Sequence, residues 1–416
     1  MNLEGKKIMS IGYALGLSAL ALVTGAVAGA APLVTAYEDD GMVTVNGQRT
    51  LIIGSYAAAL GDRPYAELAE AGFNLVNAGP GDPMNQAQAA GLMTWTAVGT
   101  LDPAKLEESK QALLDKVNAV KDHPALAFLE TVDEPAWTWM KAEQRIPAEV
   151  FAQAYPIIKG ADPNHLLYMN QAPTNLVSTL QKYNAGTDIV ACDIYPVNPG
   201  GLKHSFALFA DGYQGDLNNN YISQVGEYTD KMRRVTGPNR PLFMVMQGFA
   251  WEKLAELSEP LQAREEKVLY PTYAESRFMA FQSLIHGANG VVYWGHNYTP
   301  QPSQAWTDLK RVVREVADLA PVLAERRAKL DIEAEYHEMG NSVDDGVQTL
   351  AKLRDGKLYL FTCNADRYAC KATLTGFGSW TTCKVLNEGD RTLPIENGGI
   401  TDTWKRFDVH VYELSK

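Results

Sequence analysis

From residue 51 to about residue 324 the chain alternates between two hydrophobic periods. Short apolar runs rich in β-formers fall at 51–56, 73–78, 91–98, 125–132, 165–170, 188–195, 241–246 and 290–295. Between and after them lie stretches with helical spacing, at 64–71, 84–90, 103–120, 142–159, 174–183, 217–236, 271–287 and 304–324. Thr272, with Glu275 three residues on, is a capping box that opens the seventh of these helices. Eight strand–helix pairs in succession predict a (β/α)8 TIM barrel, whose usual length is about 250 residues. A doubly wound open sheet is the alternative for any such alternation. No Gly-x-Gly-x-x-Gly follows the first strand, however, and the chain has no phosphate loop, which favours the closed barrel. Ahead of the first run, 42–56 reads as a hairpin turning at Asn46-Gly47. Beyond about residue 330 the helical period disappears. Alternating runs at 348–353, 357–363, 369–374 and 407–414, divided by turns such as Asp355-Gly356 and Asn397-Gly398-Gly399, predict a small all-β sandwich. The expected organisation is a leader over 1–30, a catalytic barrel over 31–328 and a sandwich over 329–416, the sandwich a stabilising appendage without chemistry of its own.

Residues at the carboxyl ends of barrel strands share one pocket. The fourth apolar run leads into Asp133, Glu134, Pro135 and Trp137. Proline suits the first turn of a helix, so the two acids sit at a strand-to-helix junction. There they act either as helix N-caps or as proton donors and acceptors. If Asp133 is ionised, its charge raises the pKa of Glu134 and keeps a proton available near neutral pH. The remaining strand ends contribute Tyr56, Asn77, Trp95, Asn170, Gln171, Asp193, Tyr195, Gln247, Trp251, Trp294 and His296. Aromatic faces, amides, hydroxyls and a few carboxylates, with hardly a cation, suit a neutral polyhydroxylated ligand. A phosphorylated or carboxylated one would ask for Arg or Lys. Each aromatic and amide also has a plainer reading as rim packing, and His296 as a hydrogen-bonded loop histidine. Glu130 shares the strand parity of Glu134 and could point into the barrel against an internal partner, so it is assigned no role. The connections 197–219 and 248–270 are long for barrel loops and read as lids, subsites or variable surface.

Composition narrows the partners. A 46% hydrophobic content with eight tryptophans is enough for a sizeable core. A formal charge of −12 with no basic block argues against nucleic acid and anionic membranes. Lys6 and Lys7, an apolar centre over 11–25 and Ala28-Gly29-Ala30 read as a secretory signal with a mature start near Ala31. An uncleaved anchor is the competing reading, and the small residues favour cleavage. The expected location is therefore secreted or periplasmic, with no stable membrane association after cleavage. Export permits disulfides, and one bridge among Cys363, Cys370 and Cys383 is expected, with Cys192 a buried hydrophobe. No Cys-x-x-Cys or His-x-x-x-His spacing supports a metal, and no cofactor is expected.

The order of motifs resembles the clan A glycoside hydrolases, secreted (β/α)8 barrels that often carry a C-terminal β-sandwich. The motifs are Val45-Asn46-Gly47, the passage 123–135 (HPALAFLETVDEP), 192–196 (CDIYP), 291–295 (VVYWG) and the closing 400–414 (ITDTWKRFDVHVYEL). The resemblance implies hydrolysis of a glycosidic bond in an oligo- or polysaccharide, with Glu134 at the position of the clan's acid/base glutamate. The residue before it is usually Asn; here it is Asp133. The clan's nucleophilic glutamate closes the seventh strand, where this chain has Gln247, and an amide cannot serve as that nucleophile. Three readings follow. Asp193 is the second carboxylate, or Asp133-Glu134 supports a substrate-assisted, hexosaminidase-type reaction, or the barrel binds a carbohydrate without cleaving it.

Overall fold

The chain leads in through β1 (Thr35–Tyr37), β2 (Val43–Val45) and β3 (Gln48–Arg49). Asn46 and Gly47 both take positive φ, 50° and 78°, the requirement of a tight hairpin turn whose twist matches its strands. This antiparallel unit plugs the amino-terminal end of a barrel. Thr35 Oγ1 donates to Ala127 O at 3.0 Å and accepts from Leu166 N at 2.9 Å, and Val43 joins the barrel's interior core.

The barrel itself takes up all eight apolar runs. In this computed structural model, which describes residues 31–136, 145–198, 219–254, 268–337 and 343–416, they form a closed parallel sheet. Its strands are β4 (Ile52–Ser55), β5 (Leu75–Asn77), β6 (Met93–Ala97), β7 (Leu126–Glu130), β8 (Leu166–Gln171), β9 (Ile189–Ile194), β10 (Leu242–Gln247) and β11 (Gly290–Trp294), with β11 pairing back onto β4. The helices between them are α1 (Pro64–Ala71), α2 (Asp82–Ala89), α3 (Leu106–Val120), α4 (Ala148–Ala161), α5 (Val177–Gln181), α6 (Gln224–Thr236), α7 (Tyr273–Ile285) and α8 (Gln304–Leu323). The Thr272–Glu275 capping box forms as expected at the start of α7. Alternate residues of each strand face opposite sides. One set, with Ile52, Leu75, Trp95, Phe128, Tyr168, Phe243 and Val292, fills the barrel interior. The other, with Ile53, Val76, Met169, Cys192, Met244 and Val291, packs against the helices. No helix among the described residues is long and apolar enough to cross a membrane. The leader expected over 1–30 lies outside the described residues.

After α8 the chain builds two antiparallel sheets. The smaller joins β12 (Glu333–His337), β15 (Cys370–Thr375) and β18 (Ile400–Trp404). The larger joins β13 (Val347–Arg354), β14 (Lys357–Asn364), β16 (Thr382–Val385), β17 (Thr392–Leu393) and β19 (Val409–Ser415). A core of Leu358, Leu360, Leu374, Ile400, Trp404, Tyr412 and Leu414 lies between them.

The expected disulfide does not form: Cys363, Cys370 and Cys383 are buried free thiols. Topology explains this. Cys363 pairs with Val409 and Cys383 with Leu414, so the two lie on opposite sides of β19 and five positions apart along it. Cys370 belongs to the other sheet. A disulfide needs Cα atoms within about 7 Å, whereas packed sheets lie about 10 Å apart. Burial instead pushes the Cys370 thiol up to about 11 and Cys383 to about 12.

The larger sheet is fastened to the barrel through α7. Arg277 donates to both carboxylate oxygens of Glu315 on α8, with its Nε at 2.8 and 3.1 Å, and its Nη1 donates to Val409 O at 2.6 Å. The ring of Phe281 stacks on Phe361 at 6.3 Å. Removing one member of a buried ion pair strands the other charge. Glu315→Gln is therefore expected to lower the urea unfolding free energy by about 3–5 kcal/mol, and the double change to Met at 277 and 315 by much less. Equal losses in the two variants would contradict this coupling.

Candidate active site at the carboxyl end of the barrel

Strand parity decides which strand-end residues meet. Tyr168 and Asn170 on β8 face inward, as do Asp193 and then Tyr195 from β9, Glu130 from β7 and Trp294 from β11. Asn170 is the hub of the polar part. Its Nδ2 donates to Asp133 Oδ1 at 3.0 Å and to Asp193 Oδ1 at 3.2 Å. Its backbone carbonyl accepts from the Glu134 amide at 3.1 Å.

Glu134 lies just beyond the end of β7 with φ at 44°, a left-handed conformation that residues other than Gly, Asn and Asp seldom adopt. Its carboxyl is hydrogen-bonded to that of Asp193. Two carboxyl groups can share a hydrogen bond only if one keeps its proton. The two carboxyls therefore act on one another directly at the mouth.

Burial and the Asp133 charge raise the proton affinity of two neighbouring carboxyls. Burial, then the Asp133 charge, lifts Asp193 to about 6, against hydrogen bonds from Glu134 and Asn170. Burial, then the same Asp133 charge, lifts Glu130 to about 7, partly offset by the Trp95 indole, which donates to Glu130 Oε2 at 3.0 Å. Loss of water around its carboxyl also raises Asp133 above its ordinary value, against the Asn170 bond, although the residue keeps an exposed face at the mouth.

An aromatic wall stands beside the acids. Tyr195 stacks on Trp294 at 5.4 Å and 23°, and Trp251 donates its indole N–H to Tyr195 O at 3.1 Å. Phe249 underlies the group, edge-on to Trp294 at 4.9 Å. Gly295 makes this approach possible: its φ is 84°, and a Cβ there would lie 2.5 Å from the Phe249 ring. Tyr195, Trp251 and Trp294 all keep part of their surface accessible.

Other residues chosen from sequence lie elsewhere or are engaged. Gln171 has the outward parity of Met169, whose sulfur it contacts at 3.0 Å, and so sits between barrel and helices rather than in the mouth. Trp95 is 2% exposed and fills the barrel beneath the acids, so it offers no open platform. Gln247 does not face a ligand: its Oε1 accepts from Val197 N at 3.0 Å, and its Nε2 donates to Val197 O and Phe249 O at 2.7 and 3.0 Å. His296 is fully buried against Trp306, its Nε2 2.6 Å from Ser55 Oγ, and burial brings its pKa down to about 4. Tyr56 is half-buried, with its hydroxyl 2.7 Å from that of Tyr168, and half-buried Asn77 donates weakly to Trp95 O at 3.4 Å. Trp137 lies outside the described residues, as do 199–218 and 255–267 of the two long connections. Glu130 does face the interior, with Trp95 as its partner; Tyr168, which the sequence reading missed, also faces inward and could have been found from the strand parity it shares with Asn170.

One acidic trio among the described residues is close enough to hold a cation, Glu38, Asp39 and Asp40. It lies on the leading hairpin, paired with Arg49 and Arg326.

No family profile and no curated protein matches the sequence. Solved structures do match the fold. The α-amylase of Geobacillus thermoleovorans, determined with acarbose, aligns with a TM-score of 0.56 at 11% identity, over 89% of this chain and 100% of that one. An Anoxybacillus α-amylase aligns at 0.55 and 10% identity, over 88% and 99%. The GH27 β-L-arabinopyranosidase of Geobacillus stearothermophilus aligns at 0.55 and 8% identity, over 88% and 96%. The protein therefore has the barrel-plus-β-domain fold of clan A glycoside hydrolases, and at these identities the likeness is one of fold.

The raised acids leave a signature in stability. Unfolded Asp and Glu titrate near 4, so between about pH 4 and 7 the folded chain holds protons that the unfolded chain has released. The stability they contribute is complete below about pH 4 and is lost as pH rises through 6 to 7. The thermal midpoint is thus expected to drop between pH 5 and 8. Glu130→Gln, whose amide oxygen still accepts from Trp95, is expected to flatten that drop; a slope unchanged in the variant would contradict the assignment.

Proposed function

We propose that the protein is a glycoside hydrolase in which Glu134 and Asp193 form the reacting pair. One observation carries the reading: a glutamate held at positive φ, at the carboxyl end of a barrel strand, with its carboxyl on a second carboxyl. Such a backbone conformation is consistent with aiming a side chain. The accessible Tyr195–Trp294 stack beside the pair gives a sugar ring an apolar face to lie on.

In this reaction the glycosidic oxygen displaces Asp193 as the acceptor of the Glu134 proton. Glu134 transfers that proton to the leaving group, and Asp193 keeps its negative charge toward the anomeric carbon. As the two carboxyls part around the substrate, a separation of about 5–5.5 Å would make Asp193 a nucleophile. One of about 6.5–9.5 Å would make it a base on water. Asn170 holds Asp133 and Asp193 in place for either course. The same bond to Asp133 supports the second reading, in which Asp133 orients a substrate acetamido group and Glu134 is the acid.

The test is turnover on aryl glycosides and on plant and microbial polysaccharides. Glu134→Gln is expected to lower kcat/KM by about 100- to 10,000-fold while glycan affinity and thermal midpoint stay close to wild type. A fully active variant ends the assignment. Glycan binding by wild type without turnover on any substrate would make the barrel a carbohydrate-binding protein instead.

A further inference from the structure

We infer that the glycan at the barrel mouth is held as a chain, with successive glycosyl units laid against Trp294 and Tyr298, and that Tyr298 selects for the second unit. The inference rests on reading this mouth as a glycan site and adds the extent of the ligand. Tyr298 becomes the residue that separates a sugar chain from a glycoside of one sugar.

The first observation is that the aromatic wall does not end at Trp294. Tyr195 and Trp294 stack at 5.4 Å and 23°, and beyond Trp294 the ring of Tyr298 follows at 5.8 Å, tilted by 50°. Tyr195 and Trp294 are half-buried, whereas Tyr298 is 46% exposed, so the wall runs from the mouth toward solvent past the end of β11. The tilt decides how many sugars such a surface takes. One flat sugar ring cannot lie on two faces set 50° apart. Nor does it fit between them, since a ring held on both sides needs about 7–8 Å, two contacts of about 3.5–4 Å. The faces of Trp294 and Tyr298 therefore serve successive units.

The second observation is how firmly the exposed ring is mounted. Tyr298 closes a one-turn helix, His296–Tyr298, that follows β11, and its N–H donates to Gly295 O at 2.9 Å. The turn is anchored by buried residues before and after it. His296 stacks on Trp306 at 5.0 Å, and its carbonyl accepts from Gln301 Nε2 at 3.0 Å. Thr299 Oγ1 donates to Gly248 O at 2.7 Å, which ties the turn to the end of β10. A tyrosine has few torsions to freeze, and on a fixed backbone it offers contact area at low entropic cost. Among the described residues Trp294 is the one ring it meets, which leaves its outer face to solvent or to a ligand.

Calorimetry on the full chain with cello-, xylo-, manno- and malto-oligosaccharides, each from the single sugar to the tetramer, reads the inference. Affinity is expected to rise from one unit to two in the wild type. Tyr298→Ala is expected to cut that rise by about 3- to 10-fold, the worth of one aromatic contact. Tyr298→Phe keeps the ring and is expected to keep the rise, and thermal unfolding of both variants at the wild-type midpoint separates lost binding from misfolding. No rise in the wild type, a rise that survives Tyr298→Ala, or a loss as large for one unit as for two overturns the proposal. Binding that depends on chain length and on Tyr298, with no glycan hydrolysed, removes the glycosidase reading alone. Hydrolysis of glycans with no dependence on Tyr298 removes this proposal alone, and a mouth that binds no saccharide removes both.

Discussion

Two carboxyls can stay in hydrogen-bonded contact only while they share a proton, and the mouth of this barrel is arranged around that constraint. Glu134 and Asp193 come from neighbouring parts of the fold, the end of β7 and the inward face of β9, with β8 between them. Asn170, on that middle strand, serves both sides, donating to Asp193 and Asp133 while its carbonyl fixes the Glu134 backbone. Burial makes the loss of the shared proton costly, and the Asp133 charge makes it costlier. A left-handed glutamate is tolerated because the surrounding bonds determine its position.

Gln247 shows how this site departs from the arrangement that the sequence resemblance implies. Its side chain makes a two-way bond with the backbone of Val197 and a third bond to Phe249, tying the segment after β9 to the end of β10. A carboxylate there would keep the bond from Val197 N but set its negative oxygens against two carbonyls. The amide suits the fastening role, and the position is thereby closed to nucleophilic chemistry. The carboxyl that does meet Glu134 comes from β9.

The fold was legible because two periods carry it. Runs of period 2 or of continuous apolar character marked every barrel strand, and helical spacing marked the layer outside, down to the start of α1 at Pro64 and the capping box before α7. In the sandwich β18 left no clean apolar alternation, because Asp402 occupies a core-facing position, bonded to Tyr412 and Arg391. The site was legible only in part. Position along the chain placed Asp133, Glu134 and Asp193 together, since strand ends must converge. It could not say which of Asn170 and Gln171 faces inward without fixing the parity of β8. Nor could it say that the amide of Gln247 and the ring of His296 already have protein partners, because those partners lie about 50 and 240 residues away in sequence. The cysteines misled for a related reason: proximity in sequence is not proximity in a sandwich, where β19 separates Cys363 from Cys383.

The shared proton is the claim on which the rest depends, and carboxyl-carbon NMR titration of the full chain with labelled Asp and Glu reads it directly. Glu134 and Asp193 should titrate as a pair, in two well-separated macroscopic steps seen at both carbons, and Asp193→Asn should collapse the Glu134 curve to a single step. Two independent single-step curves, each complete near pH 4, would mean that the carboxyls do not share a proton and that the contact between them is not the basis of this site.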